Sequence, residues 1–191
     1  MSADSDHALV QAYLEGHQPS FSTLVSRYTD PIFAYVLRLT GDREAATDIT
    51  QEVFIKAWKK LSTFNPEQNF KTWLYTIARN TAYDWLRKKK PVPFSVLEQP
   101  DGDGFEQTIV DSEPLPHERF EEAEGGMLLE SLLAELSPDV RDILLLHYVD
   151  GMTFDEIGRI REESLNTVKS RHRRALLLLR KLADQHAPKR H

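Results

Sequence analysis

Two stretches of this 191-residue chain carry side chains suited to nucleic acid. The first, Phe70 to Lys90, interleaves Trp73, Tyr75, Tyr83 and Trp85 with Lys71, Arg79 and the run Arg87-Lys88-Lys89-Lys90. At helical spacing Trp73, Leu74 and Ile77 form a core face. Asn80, Asp84, Arg87 and Lys88 share another face, and Asn, Arg and Lys are the side chains that meet base edges and phosphates. The second stretch, Thr167-Val168-Lys169-Ser170-Arg171-His172-Arg173-Arg174, places four cations within six residues. On the N-terminal half of a helix such a group can enter a major groove, with Arg171 and Arg174 on one face toward bases and Lys169 toward the backbone.

The elements that must position the second stretch follow from local signals. Ser137-Pro138 opens a helix, with Ser as N-cap and Pro at the first position. Val140, Ile143, Leu144 and Leu146 continue it at helical spacing, and Asp150-Gly151 closes it. Thr153 and Glu156 make a capping box for a short helix whose buried stripe is Ile157 and Ile160. Ser164 is the next N-cap, and Val168, Ala175, Leu176, Leu179 and Leu182 carry a long last helix. Two helices joined by a short turn, the second basic, constitute a helix-turn-helix.

The first stretch ends an all-helical N-terminal module. A helix over residues 6–16 stops at Gly16. A long apolar stripe from Phe21 to Leu37 is interrupted by Pro31, where a kink is expected. Asp42 caps a helix to about Leu61, Asn65-Pro66 breaks the chain, and a last helix runs from about Phe70 to Lys89. In the Asp42-capped helix, Asp48, Gln51, Glu52, Ile55 and Trp58 recur at helical spacing. Polar groups mixed with a large aromatic suit an interface, although the same stripe also fits an ordinary amphipathic helix with Trp58 in the core.

Charge is segregated. The whole chain is formally −6, against a generic polyanion binder. Yet residues 166–191 hold eight Lys/Arg against Asp184 alone, a net of +7, and residues 71–90 hold six against Asp84, a net of +5. Residues 91–125 hold ten acids against Arg119, a net of −9, along with Pro91, Pro93, Pro100, Pro114 and Pro116. That segment reads as a flexible acidic linker. Its apolar Phe94, Val96, Leu97, Phe105, Ile109 and Val110 suggest that it docks when bound. The organisation expected is all-α: a helical bundle at 5–90, a linker at 91–125 and a helix-turn-helix domain at 126–185.

Other chemistries find little support. With no cysteine, thiol catalysis and thiolate metal sites are excluded, and the seven histidines show no metal-ligand spacing. No nucleophile constellation appears, no cofactor is implied, and an enzyme is not expected. No apolar run reaches membrane-spanning length and the first residues lack a signal peptide's pattern, so a cytoplasmic protein without membrane insertion is expected.

The order Asp48-x-x-Gln51-Glu52-Val53-Phe54, then Trp73-Leu74-x-x-Ile77-Ala78-Arg79-Asn80-x-x-x-Asp84-x-x-Arg87, an acidic linker, Leu136-Ser137, Glu156-Ile157 and Thr167-Val168-Lys169-Ser170-Arg171-x-x-Arg174-Ala175 resembles a bacterial RNA polymerase sigma factor. Confinement to two modules resembles the extracytoplasmic-function group. The resemblance spans residues 8 to 183 and implies a transcription initiation factor that brings core polymerase to −35 and −10 promoter elements. It implies that Asp48, Gln51, Glu52, Phe54 and Trp58 bind the polymerase clamp coiled coil, with a further contact to the flap. Phe64, Asn65, Asn80, Asp84, Arg87 and Lys88 would bind melted −10 DNA, the loop at Phe64-Asn65 pocketing a flipped base by stacking and edge bonding. Thr167, Lys169, Ser170, Arg171, Arg173 and Arg174 would bind the −35 duplex. The linker would thread the polymerase's RNA channel, and the group's regulation leaves room for an anti-sigma partner. The rival reading is a duplex-binding regulator that never joins polymerase.

One position departs from the family pattern. The turn before the recognition helix usually resembles Leu-Gly-Leu/Ile-Pro/Ser, and here it is Arg161-Glu162-Glu163-Ser164. Glu162 lacks glycine's freedom at positive φ, and Glu163 replaces an apolar plug. A reshaped turn or a less stable −35 module is expected.

Overall fold

A computed structural model describes residues 5–89 and 123–186. The linker expected at 91–125 lies outside the described residues, except for its last three, which open a helix. The described residues are helical throughout apart from caps and turns.

The N-terminal group has four helices. Helix α1, Asp6–Leu14, is capped by Ser5, whose Oγ accepts from the Ala8 amide at 3.2 Å. Asp6 accepts hydrogen bonds from Arg27 and Tyr28, which ties α1 onto α2, Pro19–Thr40. Helix α2 runs through Pro31 without a break and ends at Gly41 with φ 69°, a left-handed cap suited to glycine. Asp42 then caps α3, Arg43–Lys60, by accepting from the Ala45 amide at 3.1 Å. A 3-10 turn at Leu61–Thr63 leads through a loop to α4, Phe70–Lys89. Leu24, Ile32, Tyr35, Val36, Ile49, Val53, Leu74 and Tyr75 fill the core between α2, α3 and α4.

The C-terminal group begins with α5, Ala123–Glu135, a helix the sequence reading did not resolve. Helix α6, Pro138–Leu144, passes into a π turn over Leu145–Val149. Helix α7, Phe154–Arg161, opens on the Thr153–Glu156 capping box, with both reciprocal bonds present. Helix α8, Leu165–His186, starts where Ser164 Oγ accepts from the Thr167 amide at 3.1 Å.

The two groups are docked on each other. Tyr75 donates to Asp150 Oδ1 at 2.5 Å, and Lys71 donates to the Asp150 carbonyl. Arg141, 8 % exposed, donates to the Arg38 and Leu39 carbonyls at the end of α2, and to the Ala134 and Leu136 carbonyls at the end of α5. One guanidinium thus satisfies the orphan acceptors of two helix ends, where the negative pole of each dipole also favours a cation.

Candidate nucleic-acid and polymerase interface

Three faces carry the candidate residues. On α3 the inward side is Ala45, Ala46, Ile49, Thr50, Val53 and Ala57. The opposite side therefore turns Asp48, Gln51, Glu52, Ile55 and Trp58 to solvent, with Ile55 at 53 % and Trp58 at 54 % exposure. Phe54 is half-buried and packs against the core. A tryptophan and an isoleucine left in water beside acids and an amide cost free energy in the free protein, a pattern that a covering partner relieves. Trp58 is not a core residue.

On α4, Asn80, Arg87 and Lys88 are exposed, and Arg87 donates to Asp84 one turn earlier. Lys89 pairs with the α3 cap Asp42 at 2.6 Å and sits 4.6 Å over the Trp85 ring. Its salt bridge holds the Asp42 carboxyl below the usual carboxylate range. The loop before α4 divides its roles. Asn65 is exposed and its Oδ1 accepts from the Glu67 amide at 3.0 Å. Phe64 does not offer the free stacking face expected of it. It is 7 % exposed, with ring centroids 4.8 Å from Trp73 and 5.9 Å from Phe70. Its apolar area is better satisfied in that aromatic cluster than in water, so it braces the loop.

On α8 the buried side is Val168, Ala175 and Leu179. Lys169, Ser170, Arg173 and Arg174 are exposed on the other side, Thr167 is half-buried, and Asn166, which the sequence reading passed over, is exposed beside them. Arg171 turns elsewhere. Its Nη1 donates to Asp139 Oδ2 at 2.7 Å, and its Nε lies 3.4 Å from Glu163 Oε2.

The unusual turn explains that geometry. Glu162 adopts φ 58°, ψ 38°, the left-handed conformation that glycine takes at a helix end. The bend is kept although the glycine is absent. A Cβ on Gly158 would meet the Glu163 carbonyl at 2.9 Å, so the closeness of that turn requires glycine one turn earlier instead. In place of an apolar plug stands an ion network. The Arg161 side chain is fully buried and donates to Asp142 at 2.5 Å, to Asp139 at 2.7 Å and to Glu163 at 3.1 Å. Asp142, 0 % exposed, also accepts from Tyr35 at 2.6 Å and from Arg79 at 2.8 Å. Burial alone would lower the Arg161 pKa, but the three carboxylates around it, Asp142, Asp139 and Glu163, more than offset that, and the pKa is raised.

Beside α8 an aromatic group closes the other flank. His147 stacks on Phe154 at 4.5 Å, and His172 Nε2 lies 3.0 Å from the Tyr148 hydroxyl. Burial, and then His147, push the His172 pKa down to about 4, so the ring is neutral at neutral pH. Among the described residues no group of His, Asp or Glu is placed to hold a metal ion, and no helix is long and apolar enough to cross a membrane.

Comparison with known proteins agrees with this layout. Residues 24–92 match the model of Sigma-70 region 2, and residues 126–179 match that of Sigma-70, region 4. The chain is 33 % identical over 170 residues to the ECF RNA polymerase sigma factor SigW of Bacillus subtilis, covering 87 % of this chain and 90 % of that protein. Among solved structures it resembles the sigma factor RpoE of Bartonella quintana in complex with the anti-sigma factor NepR, with TM-score 0.63 and 27 % identity over 86 % of this chain and 96 % of that one. The fold also matches CnrH in complex with the cytosolic domain of CnrY, with TM-score 0.69 and 24 % identity over 96 % of this chain and 100 % of the other.

Proposed function

The chain belongs to the extracytoplasmic-function group of RNA polymerase sigma factors, and we propose how its three faces divide the work of promoter-directed initiation. The exposed stripe Asp48, Gln51, Glu52 and Trp58, backed by Phe54, grips the clamp coiled coil of core polymerase, while the C-terminal group meets the flap. Asn65, Asn80, Asp84, Arg87 and Lys88 bind the melted −10 strand, with Phe64 bracing the loop that receives an unstacked base. Thr167, Lys169, Ser170, Arg171, Arg173 and Arg174 make up the −35 module. The single observation that carries this reading is the exposure of Ile55 and Trp58 on the face of α3 opposite its core.

The protein acts in the cytoplasm, where polymerase is, and performs no covalent chemistry. It uses binding energy to stabilise the melted state over the duplex, which shifts the population toward open promoter. An anti-sigma factor is a fitting regulator, because the structural relative RpoE was solved with one. The test is run-off transcription with core polymerase on a promoter library, comparing wild type with Asn80→Ala. Wild type should select promoters with two separated elements, and Asn80→Ala should fail at opening by permanganate footprinting while keeping closed-complex affinity. Binding to duplex promoter DNA with no affinity for core polymerase would overturn the reading in favour of a free-standing regulator.

A further inference from the structure

We propose that Asn166 reads a base of the −35 element, and that Arg171 is a positioning residue that fixes which side chains α8 turns toward DNA. The inference rests on the reading of α8 as the −35 helix and goes beyond it by dividing its residues into readers and holders.

The buried side of α8 is fixed by Val168, Ala175 and Leu179. The side facing directly away holds Asn166, Ser170 and Arg173 at i, i+4 and i+7, with Lys169 beside them, all exposed. Asn166 is the second residue of α8, and the N-terminal residues of a groove-inserted helix are those that reach base edges. Its amide offers one donor and one acceptor in a plane, the pair that meets adenine N7 and N6 in the major groove. Bound to DNA, the amide would exchange water for that pair of bonds.

Arg171 sits on the flank toward α6 and is already committed. Its Nη1 is bonded to Asp139 and its Nε is ion-paired with Glu163. A bidentate guanine contact needs two N–H groups of the same fork, so reaching a base would break both pairs. It would also leave Glu163, only 18 % exposed, beside Arg161 alone. Asp139 in turn holds the fully buried Arg161. Arg171 is therefore a strut from the recognition helix to a fixed point of the domain, and it sets the rotation of α8 about its axis. The Glu163 that replaced the usual apolar plug is one end of that strut.

The experiment uses the full chain, reconstituted with core polymerase, transcribing a promoter library randomised at −35. Wild type is compared with Asn166→Ala, Arg171→Gln and Arg171→Lys. Wild type should prefer an A·T pair at one −35 position. Asn166→Ala should lower that preference about tenfold at that position and nowhere else, with an unchanged melting temperature. Arg171→Gln should lower output from all −35 sequences alike and lower the melting temperature, and Arg171→Lys, which keeps a charge for Asp139, should restore part of both. Preferences unchanged in Asn166→Ala would overturn the assignment of Asn166. Loss of preference at a single position in either Arg171 variant, with melting unchanged, would make Arg171 a base reader. A wild type indifferent to −35 sequence would instead overturn the reading of α8 itself.

Discussion

Arg79 Nε donates to Asp142 Oδ2 at 2.8 Å across the seam between the two helical groups, although 63 residues separate them along the chain. Asp142 is wholly buried and is shared with Arg161 and the Tyr35 hydroxyl. One carboxylate thus anchors α2, α4 and α7 to α6. The arrangement adds a charged tie to the apolar core that runs between the helix proposed for −10 DNA and the domain proposed for −35 DNA.

Removing that carboxylate takes from Arg79 its close partner and leaves Arg161, fully buried, with Asp139 and Glu163 only. Asp142→Ala should therefore cost about 3–5 kcal/mol, as breaking a buried pair does. Chemical denaturation monitored by circular dichroism measures it. A loss no larger than that of an ordinary surface substitution would show that water enters the seam and solvates both guanidinium groups.

Trp58 makes the opposite prediction. Because its ring is half in water, Trp58→Ala should change folding stability by no more than about 0.5 kcal/mol. Its affinity for core polymerase should fall at least about thirtyfold, the effect of losing an aromatic anchor worth about 2 kcal/mol. Titration of labelled protein with core enzyme decides this, and Gln51→Ala on the same face should add to the loss.

The turn ahead of α8 holds strain that a glycine would relieve. Placing Glu162 at φ 58° costs about 1–2 kcal/mol, from which glycine's greater freedom in the unfolded chain must be subtracted. Glu162→Gly should thus stabilise the protein by roughly 0.5–1 kcal/mol. Gly158→Ala should do the reverse, by about 1–3 kcal/mol, because its methyl would meet the Glu163 carbonyl at 2.9 Å. Thermal melts of the two variants should move in opposite directions.

His172 gives a pH dependence with a definite sign. The folded ring takes its proton only near pH 4, whereas the unfolded ring takes it near its ordinary 6.5. Between those values the unfolded chain binds a proton that the folded chain does not, so this contribution is complete above about pH 6.5 and is lost as pH falls toward 4. The groups facing the ring are His147 and the Tyr148 hydroxyl, with Phe154 alongside. Asp150, pushed up to about 6 by burial, contributes the opposite slope from its ordinary 3.8 upward. The readout is therefore a difference: His172→Gln minus wild type in urea midpoint at pH 7.5 and at pH 5. The variant should lose less on acidification than wild type, and equal losses would refute the shift.

Local chemistry made much of this fold legible before any coordinates. Asp42, Thr153 with Glu156, and Ser164 are caps whose partners lie within three residues, and each helix starts where its cap predicts. The span of α4 follows from the Asn65-Pro66 break and an unbroken helical period. What escaped depends on distance. The Arg79–Asp142 and Tyr75–Asp150 contacts join residues 63 and 75 apart, and no periodicity encodes such pairing. Helix α5 begins amid acids and the Gly125-Gly126 pair, which masks its apolar stripe. Residue type suits Phe64 to base stacking, but Phe70 and Trp73 claim that ring for packing. Helical spacing puts Arg171 on a face with Arg174, but its pairing with Asp139 and Glu163, on a neighbouring helix and in a turn of atypical sequence, is beyond what spacing encodes.

Arg141 has a consequence for how the chain is made. The carbonyls it satisfies at the end of α2 belong to Arg38 and Leu39, and it follows Arg38 by 103 residues. A ribosome has completed the whole N-terminal group long before that guanidinium leaves the exit tunnel. Until then the Arg38 and Leu39 carbonyls of the last turn of α2 are left to water, while Gly41 and the Thr40 hydroxyl close the turn locally. The nascent chain can therefore finish its first core early, while the docking of the second group waits for translation to reach α6.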